Sequence, residues 1–299
     1  MRVGLAGLAT AAASAPNLLW IMADDMGVGE PSFLASDPSG PRVIHTPHLD
    51  KLAASGMYFT AAYAGYTVCA PSRATFFTGR NSGRLAGAPA DWPLLPRLLK
   101  DAGYQTAAFG KSAPMDDTTP GTLAWGLPTE FGFERYTGQP DQGLCHNMYP
   151  LSLTNDTLPL PLPLNDKEKS RELCMARPDQ YNYTTDAFTD AALGWLHAER
   201  VPAKPFFLYV SYTVPHAGGW GSAPQEPEQG NPVPSELQVA VAERSAECRG
   251  VPWSALECHE VPSECCLSAD ACPQYSSESW PDVERDHAAS VSYLDGKVR

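Results

Sequence analysis

Basic charge is what the sequence has least of. Its 299 residues hold 21 Lys and Arg against 34 Asp and Glu, a net charge of −13, and no run of Lys and Arg interrupts the acidity. A chain of that sign repels a phosphate backbone, so nucleic acid is excluded as a partner. Charged residues amount to 18%, below the ~25% usual for soluble domains, while 43% of residues are hydrophobic, which suits a buried core and not a disordered chain. No internal repeat suggests a solenoid. No GxSxG is present, so nothing supports a serine-hydrolase elbow. Gly110-Lys111-Ser112 has the tail of a phosphate-binding loop, but Gln105 stands where that loop needs glycine. The arginine of a cysteine-phosphatase loop would follow Cys69 at position 75, which is Thr75. A stable membrane span is not expected either, because Pro16-Asn17 divides the uncharged run 3–23.

Proline is abundant. Its 29 copies are roughly twice the ordinary share and imply long loops. Acidity is uneven: residues 222–286 hold 13 acidic and 3 basic side chains, so most of the net charge sits there. That stretch also carries Cys248, Cys258, Cys265, Cys266 and Cys272 and has little apolar periodicity. It reads as a surface insertion, 217–280, held by disulfides that also involve Cys145 or Cys174, since five is odd. A zinc site is the rival reading, and the spacing fits it poorly because no CxxC pair faces another. Export agrees with the cysteines. Residues 1–15 have one Arg, an apolar stretch and Ala13-Ser14-Ala15 at the end, the outline of a secretory signal, and two sequons begin at Asn155 and Asn182. The expected location is therefore secreted or lysosomal.

Leu18–Met22 reads as a buried parallel strand that delivers Asp24 and Asp25 at its C-terminal end. A helix should follow Thr46, with Pro47 in its first turn, Leu49, Leu52 and Ala53 on one face, and Gly56 at its end. Asp91 should cap a helix with Leu94, Leu95, Leu98 and Leu99 as its stripe, followed by a strand over 104–109 with Lys111 just past it. A longer helix should begin at Thr184 or Thr185 with Ala187, Phe188, Ala191, Trp195 and Leu196 inward, then a strand Phe206–Tyr212 leading into Pro215-His216. Alternating helices and strands with short links predict an α/β fold with a mainly parallel sheet. Asp24, Asp25, Lys111 and His216 all fall at C-terminal strand ends, where open α/β sheets bind ligands. An isolated Asp-Asp pair also suits a solvated turn; at the mouth of a parallel sheet it offers hard oxygen ligands for Ca²⁺ or Mg²⁺.

One segment carries more information than the rest. Cys69-Ala70-Pro71-Ser72-Arg73, followed by Thr78-Gly79-Arg80, resembles the sulfatase signature. NLLWIMADDMG, TPHLDKLAASGMYFTAAYA, GYQTAAFGK, KPFFLYVSYTVPH and HAASVSYLDGKV resemble further blocks of that family, over residues 16–216 and 281–299. The resemblance implies a three-layer α/β/α sandwich of alkaline-phosphatase type and hydrolysis of a sulfate monoester on a small molecule or glycan. It implies that a formylglycine-generating enzyme oxidises Cys69 to formylglycine. Hydrated, that residue is a geminal diol: one hydroxyl attacks sulfur, the alcohol leaves, and the other hydroxyl lets the aldehyde re-form and expel sulfate. Asp24, Asp25 and residue 69 would bind the cation, with Ca²⁺ expected and Mg²⁺ the alternative. Arg73 would hold the diol, Lys111 would contact sulfate, and His216 would assist the substrate or leaving oxygen. These roles match residue chemistry: hard oxygens for metal, fixed cations for an anion, imidazole for proton transfer.

Two departures from the family pattern stand out. Lys111 is followed by Ser112 and Ala113, so the histidine usual two residues on is missing. The second metal pair and a further lysine belong downstream of YLDGKV, and Asp295 is expected on the preceding helix, outside that pair. The expectation for 16–299 is therefore the N-terminal part of a sulfatase catalytic domain, C-terminally truncated. Two rivals remain open: a phosphate or phosphonate ester hydrolase of the same fold, and a non-catalytic anion-binding or interaction protein.

Overall fold

A computed structural model of the chain describes residues 15–36, 43–81, 92–115, 126–141, 145–165, 182–216 and 282–298. Residues 1–14, Asp91, Cys174 and the acidic cysteine-rich stretch 217–280 lie outside them, and with them the expected signal, the insertion and the disulfides among its own cysteines; Cys145, expected as the alternative to Cys174 for a bond to the insertion, is described and carries a thiol. A six-stranded sheet runs β1 (Leu18–Asp24), β6 (Phe206–Pro215), β2 (Gln105–Met115), β3 (Arg135–Asp141), β4 (Ser152–Asn155), β5 (Leu158–Pro161). The first four strands in that order are mutually parallel, and β4 and β5 add antiparallel pairs. Pro159 and Pro161 sit on β5 at the margin of the sheet, where a strand can do without their N–H groups.

Strand alternation sends side chains to two faces, and both are covered. From β6, Leu208, Val210, Tyr212 and Val214 join Phe109 of β2 in one core, against Phe188 and Ala192 of α4 (Thr184–Gly194) and Leu294 of α5 (Asp282–Val298). Phe207 and Tyr209 face the other way, onto Phe77 of α2 (Cys69–Thr78), Leu94 before α3 (Leu95–Asp101), and Phe133. Each face therefore has its own helical layer, which makes the fold an α/β/α sandwich.

Several elements differ in detail from expectation. β1 and β6 run on to Asp24 and Pro215, and Lys111 lies inside β2 rather than beyond it, because parallel pairing with β3 continues past Phe109. α1 (Pro47–Ser55) starts at its proline as read, but Leu52 is exposed. α3 takes Leu94 as its first cap, and α4 passes at Trp195–Glu199 into a wider π turn. Asp295 is on α5 as expected, and its carboxylate accepts the His48 and Leu49 N–H groups at 3.1 and 2.7 Å. Those donors belong to the first turn of α1 and have no partner within the helix, so Asp295 caps α1 from another element.

Candidate active site

α2 brings two of the predicted residues together by helix geometry. Cys69 opens the helix and Arg73 lies four residues on, hence on the same side. Gly79 closes it with a φ of +64°, its N–H 2.9 Å from the Thr75 carbonyl. Arg73 is buried against the sheet ends. Its Nη1 donates to the Lys111 carbonyl at 2.8 Å, to Tyr209 Oη at 3.0 Å and to Ser211 Oγ, and its Nη2 is 3.3 Å from Asp24 Oδ1. Among the described residues its Nε has no partner, an orphaned buried donor.

Lys111 owes its place to the residue before it. Gly110 has φ +106°, and a Cβ there would lie 1.9 Å from the Ser211 carbonyl oxygen of β6, so only glycine allows the two strands to approach this closely. The Lys111 side chain is fully buried, with Nζ 2.5 Å from Asp24 Oδ2 and 2.8 Å from His146 Nε2. At the end of β1 the register shifts between Met22 and Asp24, and Asp25 follows with φ +61°. The two carboxylates therefore part. Asp24 turns inward and is buried, whereas the Asp25 side chain is 60% exposed, with Oδ2 3.3 Å from His216 Nε2. His216 follows β6, its N–H bonded to the Thr213 carbonyl, and its ring stacks on His146 with centroids 4.1 Å apart and planes 15° from parallel.

Electrostatics follow from this packing. Burial pushes the Asp24 carboxyl up, but the Arg73 and Lys111 cations outweigh it and hold the group at about 2. Burial likewise opposes the charge on Lys111, and Cys145 and Asp24 keep it above the ordinary lysine value. The Cys69 thiol is raised by burial, yet a hydrogen bond from His216 and the Lys111 charge bring it below the usual thiol range. Cys145, wholly buried, is pushed up to about 11 by desolvation. His146 is pushed down to about 3 by burial, Lys111 and His216, so it is neutral. Two permanent cations and one buried carboxylate thus surround Cys69, a pocket with surplus positive charge that suits an anion.

Of the predicted residues, Asp24, Cys69, Arg73, Lys111 and His216 converge, and Asp25 borders the group. His146 is the residue that the sequence reading missed. The gap at Ala113 was the available signal, since with so few histidines a replacement could have been sought among them. Ligand atoms of Asp24, Cys69, His146 and His216 all lie within 4.8 Å of one another, which makes this a possible metal-binding group.

The family model for sulfatases matches residues 16–296. The chain belongs to the sulfatase family. Arylsulfatase A of Bos taurus is 33% identical over 69% of the chain and 42% of its own length. N-acetylgalactosamine-6-sulfatase of Canis lupus familiaris is 28% identical over 73% of the chain and 43% of its length. This sulfatase-family chain thus spans less than half the length of those two relatives. Among solved structures, Ps i-CgsB in complex with k-i-k-neocarrahexaose superposes with a TM-score of 0.57 at 23% identity, covering 95% of the chain and 53% of that protein. BT4656 in complex with D-glucosamine-2-N,6-O-disulfate gives 0.56 at 20% identity, over 95% and 60%. These two likenesses establish the fold. Among the described residues no helix is long and apolar enough to cross a membrane.

Proposed function

We propose that the chain carries the nucleophile side of a sulfate monoester hydrolase, with residue 69 as the attacking group. The observation that carries this reading is the placement of the buried Arg73 and Lys111 cations, both anchored to Asp24, around the one half-buried cysteine of the signature. A sulfate ester presents oxygens to cations and a shielded sulfur to an in-line nucleophile, so catalysis requires fixed positive charge and a fixed attacking atom. Formylglycine at position 69 would supply that atom as a diol hydroxyl and would release sulfate by re-forming the aldehyde. Arg73 holds the diol oxygens and has one buried donor to spare, Nε. Lys111 draws charge from a sulfate oxygen. His216, within reach of both residue 69 and Asp25, moves the proton of the substrate or leaving oxygen.

Donor chemistry supports a hard divalent cation. Asp24 stays anionic, Asp25 stands exposed at the border of the group against His216, and an oxidised residue 69 would replace sulfur with oxygen, which suits Ca²⁺ and, less well, Mg²⁺. When bound, such an ion would add positive charge beside the sulfate oxygens. The relatives' names, arylsulfatase and N-acetylgalactosamine-6-sulfatase, support a sulfated small molecule or sugar as substrate. A formylglycine-generating enzyme would be the maturation partner, which together with the cysteine-rich stretch supports passage through the secretory pathway, as a secreted or lysosomal protein. The test is direct. Protein from cells that carry the modifying enzyme should show an aldehyde at position 69 by peptide mass spectrometry and should hydrolyse an aryl sulfate. Quantitative recovery of an unmodified thiol there would end the nucleophile assignment.

A further inference from the structure

His146 touches two site groups at once and has no part in the roles above. It sits in the connection between β3 and β4, at 2.8 Å from Lys111 Nζ through Nε2 and in parallel stacking with the His216 ring. An ammonium has three N–H donors and no lone pair, so the imidazole nitrogen is the acceptor and the ring proton resides on Nδ1. The connection is itself held on both sides of the histidine. Thr213 Oγ1 of β6 donates to the Cys145 carbonyl at 3.0 Å, Gln139 Nε2 of β3 donates to the Asn147 carbonyl at 3.0 Å, and the Cys145 N–H reaches the Asp141 carbonyl at 3.0 Å. A ring fixed in this way is a rigid spacer between Lys111 and His216.

We propose that His146 is a positioning residue: it shares the Lys111 ammonium with Asp24 and supports the His216 ring, so that both groups meet one sulfate group above residue 69. The inference rests on the sulfate-ester reading of the site. Lys111 Nζ lies 2.5 Å from Asp24 and 2.8 Å from His146, so without the imidazole the ammonium would turn further toward the carboxylate and have less attraction left for an incoming anion. The competing role for His146, a metal ligand in the cluster with Asp24, Cys69 and His216, would need the nitrogen that Lys111 already engages or a turned ring that gives up the stack.

Three substitutions separate the functions of the ring. His146→Phe keeps a flat ring for His216 and removes the acceptor. His146→Gln keeps an acceptor and removes the stack, and His146→Ala removes both. Kd for inorganic sulfate is measured by calorimetry on the full chain, beside Lys111→Ala, and kcat and KM for an aryl sulfate are measured on the matured form. His146→Phe should weaken sulfate about tenfold, as expected for loss of a hydrogen bond to a charged group, with the same factor in KM. His146→Gln should bind sulfate within about threefold of the parent but turn over more slowly, because its loss falls on His216. A purely structural role would lower melting temperature and both constants together and would not be rescued by Gln. Parent-like sulfate affinity in His146→Phe, alongside a loss in Lys111→Ala, would overturn the inference and leave the sulfate reading intact. Parent-like affinity in Lys111→Ala would overturn both. If His146→Ala fails to fold, the Phe and Gln variants decide the matter alone.

Discussion

Lys111 Nζ and Asp24 Oδ2, 2.5 Å apart, join two strands that are not neighbours: β6 runs between β2 and β1, and the ion pair bridges it at the sheet's C-terminal edge. Arg73 reaches the other oxygen of the same carboxylate from α2. One buried anion therefore organises two cations contributed by different layers of the fold.

Removing that anion should be severe. Asp24→Ala leaves two buried cations without their counter-charge, and breaking a buried pair in this way costs about 3–5 kcal/mol. Asp25→Ala, at a side chain 60% exposed, should change stability by less than ~1 kcal/mol while weakening binding of the divalent cation. Urea denaturation of the two variants side by side checks the contrast; equal losses would show that Asp24 is not the anchor.

Arg73→Lys should behave as a drastic change despite its unaltered charge. A lysine cannot span the Lys111 carbonyl, Tyr209 Oη and Asp24 Oδ1 as the planar guanidinium does. The expected result is at least a ~100-fold drop in aryl sulfate turnover of the matured protein, equivalent to ~2.7 kcal/mol in barrier. Steady-state kinetics would reveal a mild effect if the contacts matter less than the charge.

Gly110→Ala should prevent formation of the site more than it impairs chemistry. Its Cβ would have to occupy space 1.9 Å from the Ser211 carbonyl oxygen, at a φ that an L side chain rarely adopts. Loss of a cooperative thermal transition is expected, and calorimetry reads it.

The two described thiols should separate by reactivity. In protein that retains Cys69 as a thiol, iodoacetamide near pH 8 should label Cys69 at least ~10-fold faster than Cys145, because Cys69 is half-buried with a lowered pKa and Cys145 is wholly buried with one near 11. Timed alkylation with peptide mapping gives the ratio, and faster labelling of Cys145 would contradict the packing described.

Asp295 lends itself to a pH experiment. Burial raises its carboxyl above the ordinary value of 3.8, against the pull of the Leu49 and His48 N–H groups. The native state then binds its proton more tightly than the unfolded chain does, so this group's contribution to stability falls as pH rises from 3.8 through the native value. Asp295→Asn should flatten that part of the stability profile, while Asp295→Ala should lose ~1–2 kcal/mol at neutral pH by uncapping α1. Denaturation across pH 3–7 compares the three proteins.

What could be read from sequence was governed by periodicity and by motif. TAAF and FFLYV announce buried strands because both faces of a central parallel strand are apolar, and the alternation of Leu208 and Val210 with Phe207 and Tyr209 bears that out on two cores. LLWIM reads the same way, but β1 ends the described sheet and its Leu19 and Trp20 are exposed. α2 has no such stripe. Its sequence mixes Ala, Pro, Ser, Arg and Thr, since one side of it holds the site, and only the family signature points to it. β3 carries Gly138 and Pro140 and β5 two prolines, which read as loop; β3 owes its strand character to pairing with β2 and β4, and β5 to pairing with β4 at the sheet's margin. Asp24 and Asp25 look equivalent in sequence; a register shift and a left-handed residue separate them, and neither is visible before the backbone is built. His146 escaped for a related reason: its position depends on a loop tied to β6 and β3 by side-chain-to-backbone hydrogen bonds.

The sheet order has a consequence for how the site comes into being. β1 and β2 are completed early in the chain, yet the strand that belongs between them spans Phe206–Pro215. Until β6 enters that gap, Asp24 and Lys111 stay apart and hydrated, Arg73 lacks Tyr209 and Ser211, and His216 has no place to stand. The desolvation of the charged cluster and the closing of the sheet are then a single late event of high contact order, slow to reach and hard to undo piecemeal. A chain caught before that event would carry the signature cysteine on an open, solvated surface, and one past it would hold it among fixed charges.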